Sequence, residues 1–334
     1  MIHIKEQMKL HPSMTAQDIV KMCYQAAFGA EHILNDKKAA LNYFESEYNT
    51  VPSTDEPLYE MISDKVCRIN IGAWKKEGMP SSWLFQMFTM SVSIYNDGDR
   101  AFAEYTDEAA QIAPDFKAYL DKYLKNGVRP VHHSDCYRKA EQPHYRVVSS
   151  EFIRIIPLLK KIYSANAKVI SIDGRAASGK STLANNLSRI TGSSIVHMDD
   201  FFLPPALRTE ERLHEAGGNI HYERFIEEVL SEIRKGNEFT YTAFDCSVMD
   251  YGEKRTVHPS PYVIVEGAYS CHPLFGDYAD IKVFSDISPD EQMKRILLRN
   301  GEKMAEMFAS RWIPMEEKYY RKFSIKEKAD LILH

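Results

Sequence analysis

The sequence predicts an α/β protein: a parallel sheet flanked by helices over residues 168–334, preceded by a mostly α-helical N-terminal domain over residues 1–163. Three observations carry this prediction. From Lys168 onward, short apolar runs rich in β-branched residues alternate with stretches of helical periodicity, which is the grammar of βαβ units. Before that point apolar residues recur at helical spacing. Between the first apolar run and the first helix of the C-terminal part stands a glycine-containing loop at 174–181. The chain has 334 residues, enough for two cores.

In the N-terminal part, Thr15-Ala16-Gln17-Asp18 reads as a capping box, followed by Ile19, Val20, Cys23, Ala26 and Ala27 on one helical face. Further helices are expected at 37–48, from Pro80-Ser81-Ser82 through Leu84, Phe85, Phe88 and Met90, at 116–124 with Gly127 beyond, and at 151–163 despite Pro157. Trp74 and Trp83 are expected in the core. A boundary is expected at Ser164-Ala165-Asn166-Ala167. In the C-terminal part, strands of the parallel sheet are expected at 169–173, 194–198, 239–244, 262–266, 281–285 and 329–333, and helices at 181–190, 222–235, 289–300 and 302–322.

The loop itself reads Gly174-Arg175-Ala176-Ala177-Ser178-Gly179-Lys180-Ser181, the pattern G-x-x-x-x-G-K-S of a phosphate-binding P-loop, with Thr182 next to it. Its glycines let backbone N–H groups curl around phosphate oxygens, and the new helix adds its N-terminal dipole. Lys180 is placed to reach the β- and γ-phosphates of ATP, and the Ser181 hydroxyl to ligate Mg²⁺. The fold class is therefore a P-loop NTPase sheet. A P-loop does not by itself separate kinases from motor ATPases, GTPases or transporters. Two carboxylate positions narrow the choice. The run Ser194-Ile195-Val196-His197-Met198 ends in Asp199-Asp200-Phe201-Phe202-Leu203-Pro204, which places acids at the carboxyl end of a parallel strand. An Asp beside the γ-phosphate can orient an acceptor hydroxyl and take its proton. The apolar run Tyr262-Val263-Ile264-Val265 then delivers Glu266 and Gly267, the Walker-B position, where Glu266 would hold Mg²⁺ through a water.

In this order, G-x-x-x-x-G-K-S, then D-D-F-F, then V-E-G, residues 168–334 resemble the uridine kinase and phosphoribulokinase group of P-loop kinases, and the 199–204 segment resembles its nicotinamide riboside kinase version. The resemblance implies a kinase domain with a mobile lid closing over ATP. It implies Asp199 as catalytic base and as a group near the metal, and Phe201 and Phe202 as borders of the acceptor. The Y-D that the family places after its next strand corresponds to Phe244-Asp245, which puts Asp245 among the substrate-binding candidates. The histidine that follows in the family is missing from Cys246-Ser247-Val248-Met249-Asp250, and so is the R-D-x-x-x-R-G-R lid. Arg295 and Arg299, four apart on one helical face, are the lid arginines expected to stabilise the transferring phosphoryl group, with Lys303 and Arg311 beyond them.

The expected activity is ATP- and Mg²⁺-dependent phosphorylation of a hydroxyl on a small molecule, most readily a nucleoside. Two other readings stay open: a nucleic-acid-end kinase, and a non-catalytic ATP sensor acting through the N-terminal domain. A net charge of −5 speaks against the first, and Asp199 with Glu266 against the second. Five scattered cysteines without a C-x-x-C pair, no membrane-length apolar run and no secretion signal at the N-terminus give a cytoplasmic expectation, with the oligomeric state open. In the N-terminal part, Glu31-His32, His132-His133, Cys136 and His144 match no standard metal spacing. Tyr137-Arg138 and His144-Tyr145-Arg146 are candidates for an anion or substrate patch. The N-terminal part otherwise resembles no characterised family.

Overall fold

The structure is a computed structural model and describes residues 1–29, 36–92, 98–113 and 115–334. The chain divides into two compact units, Met1–Ile156 and Pro157–His334. The division falls one helix earlier than the expected boundary. Ser150–Ile155 forms a 3₁₀ segment, and the helix Ile156–Ser164 that continues it goes almost wholly with the second unit.

In the first unit, helices Ala16–Phe28, Lys37–Thr50, Ser81–Ser91 and Phe116–Leu124 occupy the stretches with helical spacing. The Thr15 N–H donates to Asp18 Oδ2 at 3.0 Å and closes the start of the first of these. Trp74 and Trp83 are buried, together with Val20, Phe44, Leu84 and Phe88. The helices share this unit with a three-stranded antiparallel sheet that the sequence did not reveal: β1 (Tyr59–Ser63), β2 (Val66–Asn70) and β3 (Tyr145–Ser149), in that spatial order. Its central strand is buried almost throughout and carries Arg68 inward.

The second unit holds β4 (Val169–Gly174), β5 (Ser194–His197), β6 (Phe239–Asp245), β7 (Asp250–Val257), β8 (Val263–Glu266), β9 (Ile281–Ser285) and β10 (Leu331–Leu333). Five of them make a parallel sheet in the order β10-β9-β4-β8-β5. Strand β4 lies at its centre and all six of its residues are buried, as expected of a strand covered on both faces. Val196, Met198, Val265 and Phe284 from the sheet region pack in one core with Phe201, Phe225, Tyr241 and Tyr319.

Two expectations need correction here. The run expected as a parallel strand at 239–244 instead pairs antiparallel with β7 in a separate two-stranded hairpin. Phe239 and Tyr241 are buried while Thr240 is exposed, so β6 covers the core with one face only. The single helix expected at 302–322 is Glu302–Met307, a wider π turn Phe308–Trp312, and Ile313–Phe323. Pro314, which has no N–H to give to the preceding turn, sits at the start of the third piece. A π turn at Ile226–Leu230 likewise interrupts the helix that begins Tyr222–Phe225.

Candidate active site

The carboxyl ends of β4, β8 and β5 lie side by side and deliver the P-loop, Glu266 and Asp199 to one edge of the sheet. At the end of β4, Gly174 has φ +135°, and a Cβ there would lie 2.1 Å from the Ser285 carbonyl oxygen of β9, so only glycine fits. The loop turns through left-handed Ala177 (φ +58°) and Gly179 (φ +95°) into the helix Lys180–Thr191. Lys180 Nζ lies across the loop and donates to the carbonyls of Gly174 (2.7 Å) and Arg175 (2.9 Å). Ser181 Oγ donates to the Glu266 carboxylate at 3.2 and 3.3 Å. Thr182, also in the first helical turn, is exposed.

Glu266 is buried and stands directly opposite His197 in the β5–β8 register. His197 Nδ1 lies 2.6 Å from Glu266 Oε1, and this bond is the main reason the imidazole pKa is raised. Gly267 follows with φ +135°; a Cβ on it would approach Met198 Cβ to 2.8 Å and Asp199 Oδ1 to 3.4 Å. The missing side chain thus lets the Met198–Asp199 turn lie against the end of β8. The Asp199 side chain reaches solvent although protein crowds around it on most sides. Desolvation by that surround raises its pKa first, Glu266 and Asp200 add to the rise, and Lys180 opposes it. Its neighbour Asp200 is buried and engaged: Tyr241 OH of β6 donates to it at 2.9 Å, and Arg255 Nε of β7 pairs with it at 2.9 Å.

The loop is also gripped from the helices after β9. Glu316 Oε2 accepts from the Ala176 N–H at 3.0 Å, and burial pushes that carboxyl up to about 7. Gln292 Nε2 donates to the Ala176 carbonyl at 3.1 Å and Arg295 Nη1 to the Ala177 carbonyl at 3.4 Å. Arg175 points away from the loop, to Asp286 (3.4 Å) and Glu317 (3.1 Å). Beneath the loop, buried Asp173 accepts from the N–H groups of Gly174, Tyr269 and Cys271 and from Tyr319 OH.

The structure therefore brings together Lys180, Ser181, Asp199, Glu266 and, at the outer side of the loop, Arg295. Arg299 is not part of this group: its Nε donates to Asn300 Oδ1 at 2.9 Å. Phe201 is fully buried against Phe225 and Tyr241, so it shapes the core, whereas Phe202 is half-buried and bridges to Ile220. Asp245 ends β6 and accepts from Ser247 N–H and Oγ, which fixes the hairpin turn. Sequence reasoning missed His197, Glu316, Gln292 and the anchoring role of Asp200. A signal existed for His197 alone, which stands two residues before Asp199 and at the end of the same strand.

Of the histidine and cysteine candidates in the first unit, Glu31 and His32 lie outside the described residues. His133 is hydrogen-bonded to Asp18 (2.8 Å) and to Tyr145 OH (2.6 Å), His144 to Glu47 (2.9 Å), and Cys136 is exposed. Among the described residues no group of three or more His, Cys, Asp or Glu side chains is arranged to hold a metal ion. Nor is any helix among them long and apolar enough to cross a membrane.

No protein-family model matches the chain. A curated uridine kinase of Chlamydia pneumoniae is 28% identical over 181 residues, spanning 50% of this chain and 81% of that protein. Among solved structures, a "possible uridine kinase" from Bacillus stearothermophilus is 24% identical, with a TM-score of 0.42, over 55% of this chain and 98% of the other. A candidate fructose transport system kinase from Silicibacter sp. TM1040 is 19% identical, with a TM-score of 0.41, over 50% and 89% of the two chains. The sequence likeness, with the parallel sheet and the strand–P-loop–helix junction described above, supports a P-loop kinase fold of the uridine kinase and phosphoribulokinase type over about half of the chain.

Proposed function

We propose that the chain is an ATP- and Mg²⁺-dependent kinase that phosphorylates a hydroxyl of a small molecule, a nucleoside or similar ribosyl compound. The observation that carries this reading is the pairing of an engaged Ser181–Glu266 set with a carboxylate, Asp199, that has no hydrogen bond to another described residue and stands beside them at the sheet edge. Ser181, Glu266 and Asp199 offer only oxygen donors, which suit a hard cation such as Mg²⁺. When bound, Mg²⁺ would neutralise charge on the β- and γ-phosphates of ATP.

The rest of the work falls to this chain. Loop N–H groups cradle phosphate oxygens, and Lys180 exchanges its carbonyl partners for them. His197 holds Glu266 in place. Asp199 accepts the acceptor's hydroxyl proton through an oxygen that no neighbour occupies. Arg295 is placed to steady the loop and the transferring group. A nucleoside acceptor is supported by the likeness to a uridine kinase. The test is ATP consumption by the full chain against nucleosides, vitamins and sugars, with Lys180→Ala alongside. Turnover with a nucleoside that Lys180→Ala abolishes is expected. Near-normal turnover in that variant would exclude the P-loop as the site of transfer.

A further inference from the structure

The first unit contains a cavity of about 520 Å³ whose chemistry the kinase reading does not use. Its wall is made by the helix Ala16–Phe28, the helix Lys37–Thr50 and the stretch that runs from Pro130 into β3. Lys21 lines it, and its Nζ donates to the Val131 carbonyl at 3.1 Å. Desolvation first, then the nearby Arg68, pushes that ammonium down to about 8. Arg68 lies buried behind the wall, 4.7 Å from the Tyr145 ring centre, and its hydrogen-bond partners are the neutral oxygens of Gln25 (2.8 and 3.1 Å) and Gln7 (3.4 Å). Arg146 lies over the Phe44 ring at 4.8 Å and pairs with Glu47 at 2.7 Å.

The carboxylates around these three cations are Asp18, Glu47 and Glu60, the last facing Arg68 and hydrogen-bonded to His11. Asp18 is turned toward His133, Ser134 and Thr15, whose bonds consume both of its oxygens. Glu47 is shared between Arg146 and His144. His133 cannot add positive charge near neutral pH, because burial pushes it down to about 4. Arg68 and Arg146 thus face carboxylates, whereas the Lys21 ammonium at the cavity wall donates to a neutral carbonyl, and a desolvated cation is stabilised by an anion brought to it. Tyr43, Phe88 and Tyr145 supply flat apolar surface beside that charge. The cavity is large enough for an organic molecule and far larger than one inorganic anion needs.

We propose that this cavity binds a small organic anion, a phosphate or carboxylate carried on a flat ring, with Lys21 and Arg146 meeting the charge and the aromatic wall meeting the ring. The site lies wholly within the first unit and does not depend on the activity proposed above. Hydrogen–deuterium exchange on the full-length protein tests it, because the response is read segment by segment. The probes at millimolar concentration are UMP (phosphate with ring), orotate (carboxylate with ring), uridine (ring without the charge) and inorganic phosphate (charge without ring). UMP, orotate or both are expected to slow exchange severalfold in Ala16–Phe28 and Tyr145–Ser149, with uridine and inorganic phosphate ineffective there. Which of the two acts identifies the head group. Lys21→Met, which replaces a desolvated ammonium by an apolar chain of similar length, is expected to remove the protection while leaving the unliganded exchange pattern of the unit intact. Protection by UMP confined to the second unit, with orotate silent, would overturn the proposal, as would uridine protecting Ala16–Phe28 as well as UMP does.

Discussion

Asp199 and Asp200 are adjacent and chemically identical, yet the fold gives them different work. The Asp200 carboxylate is spent on Tyr241 and Arg255 and ties the β6–β7 hairpin to the end of β5, while Asp199 presents open lone pairs at the sheet edge. Asp199→Asn keeps the shape and removes the base, so turnover is expected to fall by about 10²–10⁴ while ATP still binds. Asp200→Asn keeps an oxygen for the Tyr241 hydroxyl and is expected to leave turnover nearly unchanged. Steady-state rates and ATP Kd for both variants check this, and a reversal of the two effects would move the base by one residue. The resemblance already assigned the base to the first Asp, but the reason the second is unsuited was not legible, because Tyr241 and Arg255 reach it from elements far along the chain. Arg295 and Arg299 teach the same lesson. Their four-residue spacing put them on one face, yet only Arg295 reaches the loop.

At the scale of elements, the strands of the parallel sheet were legible, the central ones because they are buried on both faces. β4, β8 and β9 are largely apolar runs bounded by a polar or glycine residue, whereas the edge strands β5 and β10 are only partly buried, and the carboxyl ends of β4, β5 and β8 carry the candidate site. β6 was legible as a strand but not as part of a hairpin, since its partner β7 is almost wholly exposed and has no apolar alternation. The β1–β3 sheet escaped notice because its strands have five residues each, its centre contains an arginine, and β3 arrives from far downstream. One glycine joins sheet geometry to chemistry. Gly267→Ala would place a methyl group 2.8 Å from Met198 Cβ on a backbone with φ +135°, a conformation reserved for glycine. The expected outcome is a loss of about 1–3 kcal/mol of stability from backbone strain alone. A drop in turnover larger than the unfolded fraction explains should accompany it, because the Met198–Asp199 turn must move. Calorimetry with kinetics on the same preparation separates the two. Unchanged turnover would mean that the turn bearing Asp199 tolerates displacement.

Across the whole molecule, two buried titratable groups tie the two units to pH in opposite senses. Burial raises Glu316 from an ordinary 4.5 to about 7, so between those values the folded second unit holds a proton that the unfolded chain releases. Its stability is full below about 4.5 and falls as pH rises through 7. Burial lowers His133 from 6.5 to about 4, so there the unfolded chain binds the proton and the folded first unit does not. That unit is at full strength above 6.5 and weakens as pH falls toward 4. Its partner Asp18 is held below the ordinary carboxylate range by bonds from His133, Ser134 and Thr15 that outweigh its burial, so Asp18 loses its contribution only at still lower pH. At about 1.4 kcal/mol per unit of pKa, each group is worth on the order of 3 kcal/mol across its window. These two shifts are the larger ones in this window and oppose the smaller ones of His11 in the first unit and of His221 and His272 in the second, so scanning calorimetry of the full chain from about pH 7.5 down to about pH 5 should move the transition of the first unit down and that of the second unit up. Glu316→Gln, whose amide oxygen still accepts from Ala176, should raise the second transition near pH 8 and lose that advantage near pH 4.5. If the second transition failed to rise on acidification, or if Glu316→Gln shifted it equally at both pH values, the buried Glu316 carboxyl would not be what couples the second unit to pH, and a first transition that failed to fall would exclude His133 from that role in the first unit.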